Sequence, residues 1–218
     1  MTPAPTTKRL LCTACLRPQN ACICQWVTRV AHPVEVLILQ HPLEVSHPKG
    51  SARLLHLSLP GSRLVTGEKF ADLSTLLSEP FSPGNPAAGT RHAVLLYPET
   101  LNGTPQENAQ VSQARAAQGL DSGCNSARLR LVVLDGTWRK SRKMLHCNPL
   151  LQQLPRLALT DLPASRYRVR TAHRADQLCT LEATCAALAQ LHGGSGQFAT
   201  LLAAFDDWVA QQLGRQAG

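Results

Sequence analysis

Residues 129–134 read Leu-Arg-Leu-Val-Val-Leu, and Asp135-Gly136-Thr137-Trp138 follow them directly. An apolar run of this length predicts a buried strand. Trp138 to Cys147 is then predicted to form a helix, so the chain passes from strand to helix within a few residues. The junction is a candidate ligand-binding site, because ligands of open α/β sheets collect at the C-terminal ends of strands.

Each residue of the junction has a chemical use. Asp135 ends the strand, and Gly136 permits a tight turn or the close approach of a ligand. Thr137 can cap the helix, whose N-terminus attracts anionic groups. A plain helix cap with Trp138 packed in the core explains the same four residues equally well.

Strands and helices alternate outward from this junction. Apolar runs predict further strands at 34–39, 62–66, 93–97 and 157–159. Helical spacing predicts helices at 51–59, 107–118, 177–191 and 200–212. The alternation predicts an α/β fold with a mostly parallel sheet flanked by helices.

The length of 218 residues suits one domain with a small appendage. We expect a loose tail over 1–9, a four-cysteine module over 10–28 and one main domain over 29–218. The tail lacks the apolar centre of a secretion signal, so a cytoplasmic protein is expected. No run of about 18 apolar residues occurs, so no membrane partner is expected.

Four cysteines crowd into the first part of the chain: Cys12, Cys15, Cys22 and Cys24. Two closely spaced pairs are typical of a tetrahedral zinc site, and all-thiolate coordination suits zinc. A four-iron cluster also takes four cysteines and is the main alternative; unliganded surface thiols are the other. Because four protein ligands leave no position for substrate, we expect the metal to serve structure or RNA docking rather than catalysis.

The formal charge of +8 and the isoelectric point near 9.4 indicate a polyanionic partner. Lys and Arg gain affinity for nucleic acid by displacing counterions from phosphates. Most of the basic residues are arginines, which bind phosphate in a bidentate manner. A basic surface without any specific ligand is the alternative interpretation.

Several blocks, in order along the chain, resemble the DTW-domain family. The Asp135-Gly136-Thr137-Trp138 stretch is similar to the D-x-T-W motif that names this family. The other matching blocks are the cysteine segment 12–24, Gln40-His41-Pro42-x-Glu44, residues 53–68, 96–98, 148–156, 165–170 and 180–183. Two blocks depart from the family pattern: Gly50-Ser51-Ala52-Arg53 stands where Asn-Thr-Gly-Arg is expected, and Cys179 stands where a serine is expected.

The resemblance implies a tRNA-uridine aminocarboxypropyltransferase. Such an enzyme moves the 3-amino-3-carboxypropyl group of S-adenosylmethionine (SAM) to N3 of a uridine in tRNA, here expected in the variable loop. It also implies the knotted α/β topology of SPOUT-type SAM enzymes. We therefore expect tRNA and SAM as partners and zinc as the metal; no pattern in the sequence indicates an oligomeric state.

Candidate residues follow from the resemblance and from the chemistry. Asp135, Thr137 and Trp138 are the catalytic candidates; Asp135 is expected either to take the N3 proton as a base or to hold the ammonium or ribose of SAM. The cofactor-binding candidates lie in three loops: Leu96, Tyr97 and Pro98; Asp135 and Gly136; Leu178 and Thr180. The RNA-binding candidates are Arg53, Arg139, Arg142, Arg166, Arg168 and Arg170.

Two other functions remain open from the sequence. One is a SPOUT-type SAM-dependent methyltransferase acting on RNA. The other is a zinc-containing RNA-binding protein without catalytic activity.

Overall fold

The computed structural model of the chain describes residues 10–81, 89–98, 126–159, 165, 178–192 and 196–217. The described residues form five strands: β1 (Glu35–Gln40), β2 (Ser62–Thr66), β3 (His92–Leu96), β4 (Leu129–Asp135) and β5 (Arg156–Leu157). They also form the helices α1 (Ala52–Ser58), α2 (Leu73–Ser78), α3 (Trp138–Cys147), α4 (Pro149–Gln152), α5 (Thr180–His192) and α6 (Ala199–Ala217).

The five strands make one sheet in the order β2-β1-β4-β3-β5, and every neighbouring pair is parallel. In the register of β1 with β4, Gln40 lies opposite Asp135 at the C-terminal end. The predicted α/β class with a parallel sheet and flanking helices is confirmed. The knotted topology stays a prediction.

Alternate residues of the strands feed two separate cores. Val36, Ile38, Leu131 and Val133 pack on the face covered by α1, α5 and α6. The intervening residues pack on the other face against α2, α3 and α4; they include Leu37, Leu39 and Val132. Since β4 is buried on both faces, it reads in the sequence as a continuous apolar run.

Most predicted elements occur with small shifts at their ends. The strand predicted at 34–39 forms at 35–40, and the one predicted at 157–159 forms at 156–157. The helices predicted at 177–191 and 200–212 form at 180–192 and 199–217. The helix predicted at 107–118 lies outside the described residues, and helices α2 and α4 were not predicted.

A buried ion cluster lies near the N-terminal ends of the strands. Glu35 accepts a hydrogen bond of 3.0 Å from Arg91 and a second bond from Arg130, and both arginines are buried. The guanidinium of Arg130 also lies 3.9 Å from the ring centroid of Phe81. Glu35 therefore neutralises part of a charge that would otherwise be buried without compensation.

The segment that carries the four cysteines packs on the first of the two cores. Cys15 and Ile23 are buried there together with residues of α6 such as Trp208. Among the described helices, none combines the length and the apolar character that crossing a membrane requires.

Candidate active site and metal centre

Three elements meet at the carboxylate of Asp135, the last residue of β4. The Gln40 side-chain amide donates to Oδ2 at 2.8 Å, and the Thr180 hydroxyl donates to Oδ1 at 2.6 Å. The backbone N–H of His41 donates to the Asp135 carbonyl at 2.9 Å. Asp135 is only 6% exposed, so its carboxylate is fixed in orientation by bonds from β1 and α5.

The turn after Asp135 is tight. A Cβ atom on Gly136 would lie 3.2 Å from the Cβ of Lys140 and 3.6 Å from the Cβ of His41, which leaves little room for a larger residue. The Thr137 hydroxyl accepts from the Lys140 N–H at 3.4 Å and caps α3, as the sequence predicts. Trp138 is 49% exposed, which contradicts the alternative that it packs in the core.

Trp138 belongs to an aromatic surface at the end of β3. Its ring meets that of Tyr97 edge-on, with centroids 5.5 Å apart. The Arg156 guanidinium lies 5.1 Å from the Tyr97 ring centroid and donates to the Pro98 carbonyl at 2.9 Å. This edge therefore combines the exposed Trp138 ring with a half-buried Tyr97 ring that lies beside the Arg156 guanidinium.

A polar network joins the segment after β1 to α3. His41 Nδ1 accepts from the Leu43 N–H at 3.1 Å, so Nε2 carries the hydrogen and donates to Glu68 at 2.6 Å. Glu68 also pairs with Lys143 at 2.7 Å, and the hydrogen bonds from Lys143 and then from His41 lower the pKa of Glu68. These contacts fix one side of α3.

Lys140 makes the second link between these segments. Its Nζ lies 2.7 Å from Oε1 of the buried Glu44. Lys140 and Lys143 both pair with carboxylates, whereas Arg139 and Arg142, the other two basic residues of α3 with a permanent charge, are exposed.

Helix α5 begins with a capping box in which a cysteine takes the usual place of serine. The Cys179 N–H donates to Glu182 Oε2 at 2.9 Å, and the Glu182 N–H donates to the Cys179 sulfur at 3.5 Å. Ser165 donates to the same Glu182 carboxylate at 2.9 Å. Burial raises the pKa of the Cys179 thiol well above its usual value, so the thiol stays neutral. The departure from the family pattern at this position thus preserves the cap.

The predicted site residues are only partly brought together. Thr180 contacts Asp135 at the sheet edge, and Gly136 and Thr137 follow Asp135 in the turn. Tyr97 contacts Trp138 at the end of β3, between Leu96 and Pro98 in the chain. Leu178 precedes the cap of α5, and the half-buried Arg53 lies in α1. Arg166, Arg168 and Arg170 lie outside the described residues.

Four residues that contact this site have no role predicted from the sequence: Gln40, Glu44, Glu68 and Arg156. A signal existed for Gln40, because it ends a strand that is adjacent to β4. The other three meet the site only through tertiary contacts.

The four predicted metal ligands converge, with all of their sulfur atoms within 4.8 Å of one another. The Cys12 and Cys24 sulfurs are 3.6 Å apart, and those of Cys15 and Cys22 are 3.7 Å apart. Sulfurs bonded to one tetrahedral zinc at about 2.3 Å are separated by about 3.8 Å. A four-iron cluster places its cysteines around a multi-atom core and so further apart. The spacing therefore fits a single metal ion.

The four thiols differ in how readily they lose their protons. Hydrogen bonds from the Cys15 and Ala14 backbones lower the pKa of Cys12 to about 6, whereas burial and the neighbouring Cys12 raise that of Cys24 to about 12. Deprotonating all four thiols at this spacing would bring like charges together, so a bound divalent ion would stabilise the deprotonated, metal-coordinating form.

Fold and site together define an α/β protein with a parallel sheet, a buried carboxylate at the C-terminal end of β4 and a separate four-cysteine cluster. The chain belongs to the DTW-domain family, because the DTW domain model matches residues 9–213. The predicted family is thereby confirmed.

Named relatives are similar to this chain over much of its length. The tRNA-uridine aminocarboxypropyltransferase 2 of Drosophila melanogaster is 30% identical over 200 residues, which cover 86% of this chain and 68% of the relative. The protein of the same name from Macaca fascicularis is 25% identical, with 91% of this chain and 62% of the relative covered. The tRNA-uridine aminocarboxypropyltransferase A of Arabidopsis thaliana is 26% identical, with 66% and 53% covered.

The chain thus spans between about half and two thirds of the length of these relatives. Their names agree with the predicted class of transferase. No solved structure matches this chain significantly.

Proposed function

We propose that this protein transfers the 3-amino-3-carboxypropyl group of SAM to N3 of a uridine in tRNA, with the variable loop as the expected position. Membership of the DTW-domain family and the names of the relatives support the proposal. The observation that carries it is the Asp135 carboxylate, fixed by Gln40 and Thr180 at the C-terminal edge of a parallel sheet.

The SAM site is proposed at this edge. Three chain segments support this location: 96–98 at the end of β3, 135–136 at the end of β4, and 178–180 at the start of α5. A negative charge at Asp135 suits a donor that carries a cationic sulfonium and an ammonium group. A SPOUT-type knot, which would wrap such loops around the donor, remains part of the proposal.

The chemistry is a nucleophilic displacement. N3 of uracil forms a bond to the methylene carbon attached to sulfur, the carbon–sulfur bond breaks, and the electron pair leaves with methylthioadenosine. The N3 proton passes to a base or to water. The protein must hold the methylene rather than the methyl in line with N3, so positioning of the donor decides the product.

For Asp135 the contacts favour the anchor over the base. Both carboxylate oxygens already accept a hydrogen bond, and the residue is buried. We therefore propose that Asp135 orients SAM, while Thr137 shapes the turn through its cap and Gly136 provides the close approach.

The RNA is proposed to reach this edge along α3. Exposed Trp138, supported edge-on by Tyr97, offers a surface on which the uracil ring stacks. Arg139 and Arg142 are exposed on the same helix, and Arg53 lies in α1. We assign phosphate contacts to these arginines, and we retain that assignment for Arg166, Arg168 and Arg170 as well.

The four-cysteine centre is proposed to hold one zinc ion, with all four ligands supplied by the protein. The sulfur spacing supports zinc over a four-iron cluster. Bound zinc would stabilise the fold and leave no position for substrate. We keep the division into a tail (1–9), a metal module (10–28) and a catalytic domain (29–218), with the module packed on the domain core.

Nucleoside mass spectrometry tests the proposal. Unmodified tRNA is incubated with protein and SAM, digested and analysed; we expect a uridine that carries the aminocarboxypropyl group, and no product with Asp135→Ala at equal folded concentration. A methyl adduct would instead identify a methyltransferase. No adduct together with no SAM binding in titration calorimetry would favour the non-catalytic RNA-binding protein.

A further inference from the structure

Arg17 lies in the loop between the two cysteine pairs and reaches out of it. Its Nη1 donates to the Pro48 carbonyl at 2.7 Å, and its Nη2 donates to the Gly50 carbonyl at 2.7 Å. The guanidinium also lies 5.4 Å from the ring centroid of Trp208 in α6. A planar guanidinium can serve two carbonyls at once, which an ammonium group on one flexible chain does poorly.

The backbone of Arg17 is fixed by the cysteine loop. Its carbonyl accepts from the Cys12 N–H at 2.8 Å, and the Leu16 N–H donates to the Cys12 carbonyl at 2.9 Å. Cys12 and Cys15 are two of the four metal ligands proposed above. An ion that clamps their sulfurs therefore also clamps the backbone from which the Arg17 side chain extends.

The segment 48–50, to which Arg17 donates its hydrogen bonds, is connected to the start of α5. Gly50 donates to the His47 carbonyl at 2.9 Å, and the next residue, Ser51, is buried. The Ser51 hydroxyl accepts from the Leu181 N–H at 3.4 Å. Leu181 follows Thr180, whose hydroxyl donates to Asp135. A continuous series of contacts thus runs from the cysteine loop to the carboxylate at the sheet edge.

We propose that Arg17 is a positioning residue that couples metal occupancy of the four-cysteine centre to the start of α5, and through Thr180 to Asp135. Without an ordered Arg17, the Pro48 and Gly50 carbonyls lose their shared donor and Ser51 loses its fixed position. The consequence for SAM binding rests on the proposed function, whereas the coupling itself does not.

Hydrogen exchange on the full-length chain tests the coupling. Zinc-loaded wild type, Arg17→Ala, Arg17→Lys and the control Asn20→Ala, an exposed residue of the same loop, are compared by amide exchange and by zinc content. We expect Arg17→Ala to retain zinc while the Gly50 and Leu181 amides exchange about fivefold faster. Mutations that contact neither of two coupled sites change the coupling free energy by amounts of this size. Arg17→Lys should recover part of the protection, and Asn20→Ala should match wild type.

Removing zinc from wild type with a chelator should accelerate the same two amides. Wild-type exchange at Gly50 and Leu181 in zinc-loaded Arg17→Ala would overturn the proposal. If Arg17→Ala does not fold, Arg17→Lys is the deciding variant. Exchange at both amides as slow as in wild type would overturn the proposal, and faster exchange with zinc retained would support it.

Steady-state kinetics with SAM distinguish a failure of the coupling from a failure of the proposed function. If the coupling reaches Asp135, zinc-loaded Arg17→Ala should show a KM for SAM about fivefold higher with kcat nearly unchanged. An unchanged KM for SAM would overturn the link to Asp135. A wild-type protein that does not use SAM at all would overturn the proposed function and leave the exchange result standing.

Discussion

The Thr180 hydroxyl and the Asp135 carboxylate form a hydrogen bond of 2.6 Å across 45 residues of sequence. With Gln40 on the other carboxylate oxygen, this bond makes one side chain the meeting point of β1, β4 and α5. A hydrogen bond to a charged group contributes about 1.5–3 kcal/mol, so each of the two partners affects the geometry of the edge measurably.

Asp135→Asn is expected to abolish transfer and to raise the Kd for SAM at least about tenfold, because the amide removes the charge and cannot accept from both Gln40 and Thr180. The change is measured by titration calorimetry and single-turnover kinetics. Thr180→Val should weaken SAM binding in the same direction, and Thr180→Ser should restore it. SAM binding of normal affinity by Asp135→Asn, with transfer lost, would show that Asp135 is the base.

Elemental analysis is expected to find one zinc ion per chain, lost on replacement of Cys12 by serine together with a lower thermal midpoint. Cys147→Ser, in α3, is the matched control and should keep its zinc. Cobalt exchanged into the centre should give the intense absorption of thiolate-bound cobalt. Iron with acid-labile sulfide in the purified protein would contradict a single-ion site.

Leu16→Gly is expected to stabilise the cysteine loop. Leu16 has a φ of 59°, in the left-handed region, and its side chain is 53% exposed, so glycine relieves strain at little packing cost. Left-handed backbone costs an ordinary residue about 1–2 kcal/mol, against about 0.5–1 kcal/mol for the greater freedom of glycine when unfolded. Slower zinc release to a chelator is the readout. The control is Leu11→Gly: Leu11 is also an exposed leucine, but its backbone is not left-handed, so this change should not slow zinc release.

Glu35→Gln is expected to destabilise the protein by about 3–5 kcal/mol, since it leaves Arg91 and Arg130 buried without their carboxylate. Chemical denaturation measures the change. The control Glu79→Gln, on an exposed residue, should stay within about 0.5 kcal/mol of wild type. A loss of stability of equal size in both variants would show that the ion cluster makes no specific contribution to the free energy of unfolding.

The same cluster predicts a pH dependence with a definite sign. Burial alone would raise the pKa of Glu35, but the hydrogen bonds from Arg91 and Arg130 outweigh it and the net pKa lies below 4.5. Because the folded pKa is the lower one, the stabilisation is complete above the unfolded value and is lost as the pH falls through the folded value. In Glu35→Gln, this part of the acid sensitivity should vanish.

Trp138→Phe is expected to remove most of the fluorescence change on RNA binding. Trp138 is 49% exposed, whereas Trp208 is buried and Trp26 is partly buried, so stacked bases quench mainly Trp138. Trp138→Ala should weaken the binding of uridine-containing oligonucleotides by about 1–3 kcal/mol, the contribution of one stacked base. Equal affinity of Trp138→Ala and wild type would place the RNA elsewhere.

The order of strands and helices could be predicted because the buried strands are long apolar runs. The strand at 62–66 and the helix at 138–147 occur at the predicted residues. Helix α2 escaped prediction because it spans only six residues, of which Leu73 and Leu77 are buried. So short a segment carries too little periodicity to be distinguished from a loop.

The candidate site was predictable where chemistry and contact lie in one short segment. Asp135 to Trp138 and the four cysteines are such segments, and the cysteine sulfurs do converge. The partners of Asp135 could not be predicted in the same way, because Gln40 and Thr180 reach it from 95 and 45 residues away. The formal charge of +8 includes Arg130, but this residue is buried and its charge pairs with Glu35 rather than facing an anionic partner.

The central place of β4 has a consequence for how the chain folds during synthesis. In the part of the chain that the structure describes, β4 joins β1 and β2 on one side to β3 and β5 on the other. While residues 129–135 are still inside the ribosome, β1 and β3 both present open edges, the state in which nascent sheets aggregate or recruit chaperones. The segment that ends in Asp135 therefore closes the sheet, and a message truncated before it yields a β1–β2 pair and a β3 strand without its neighbours.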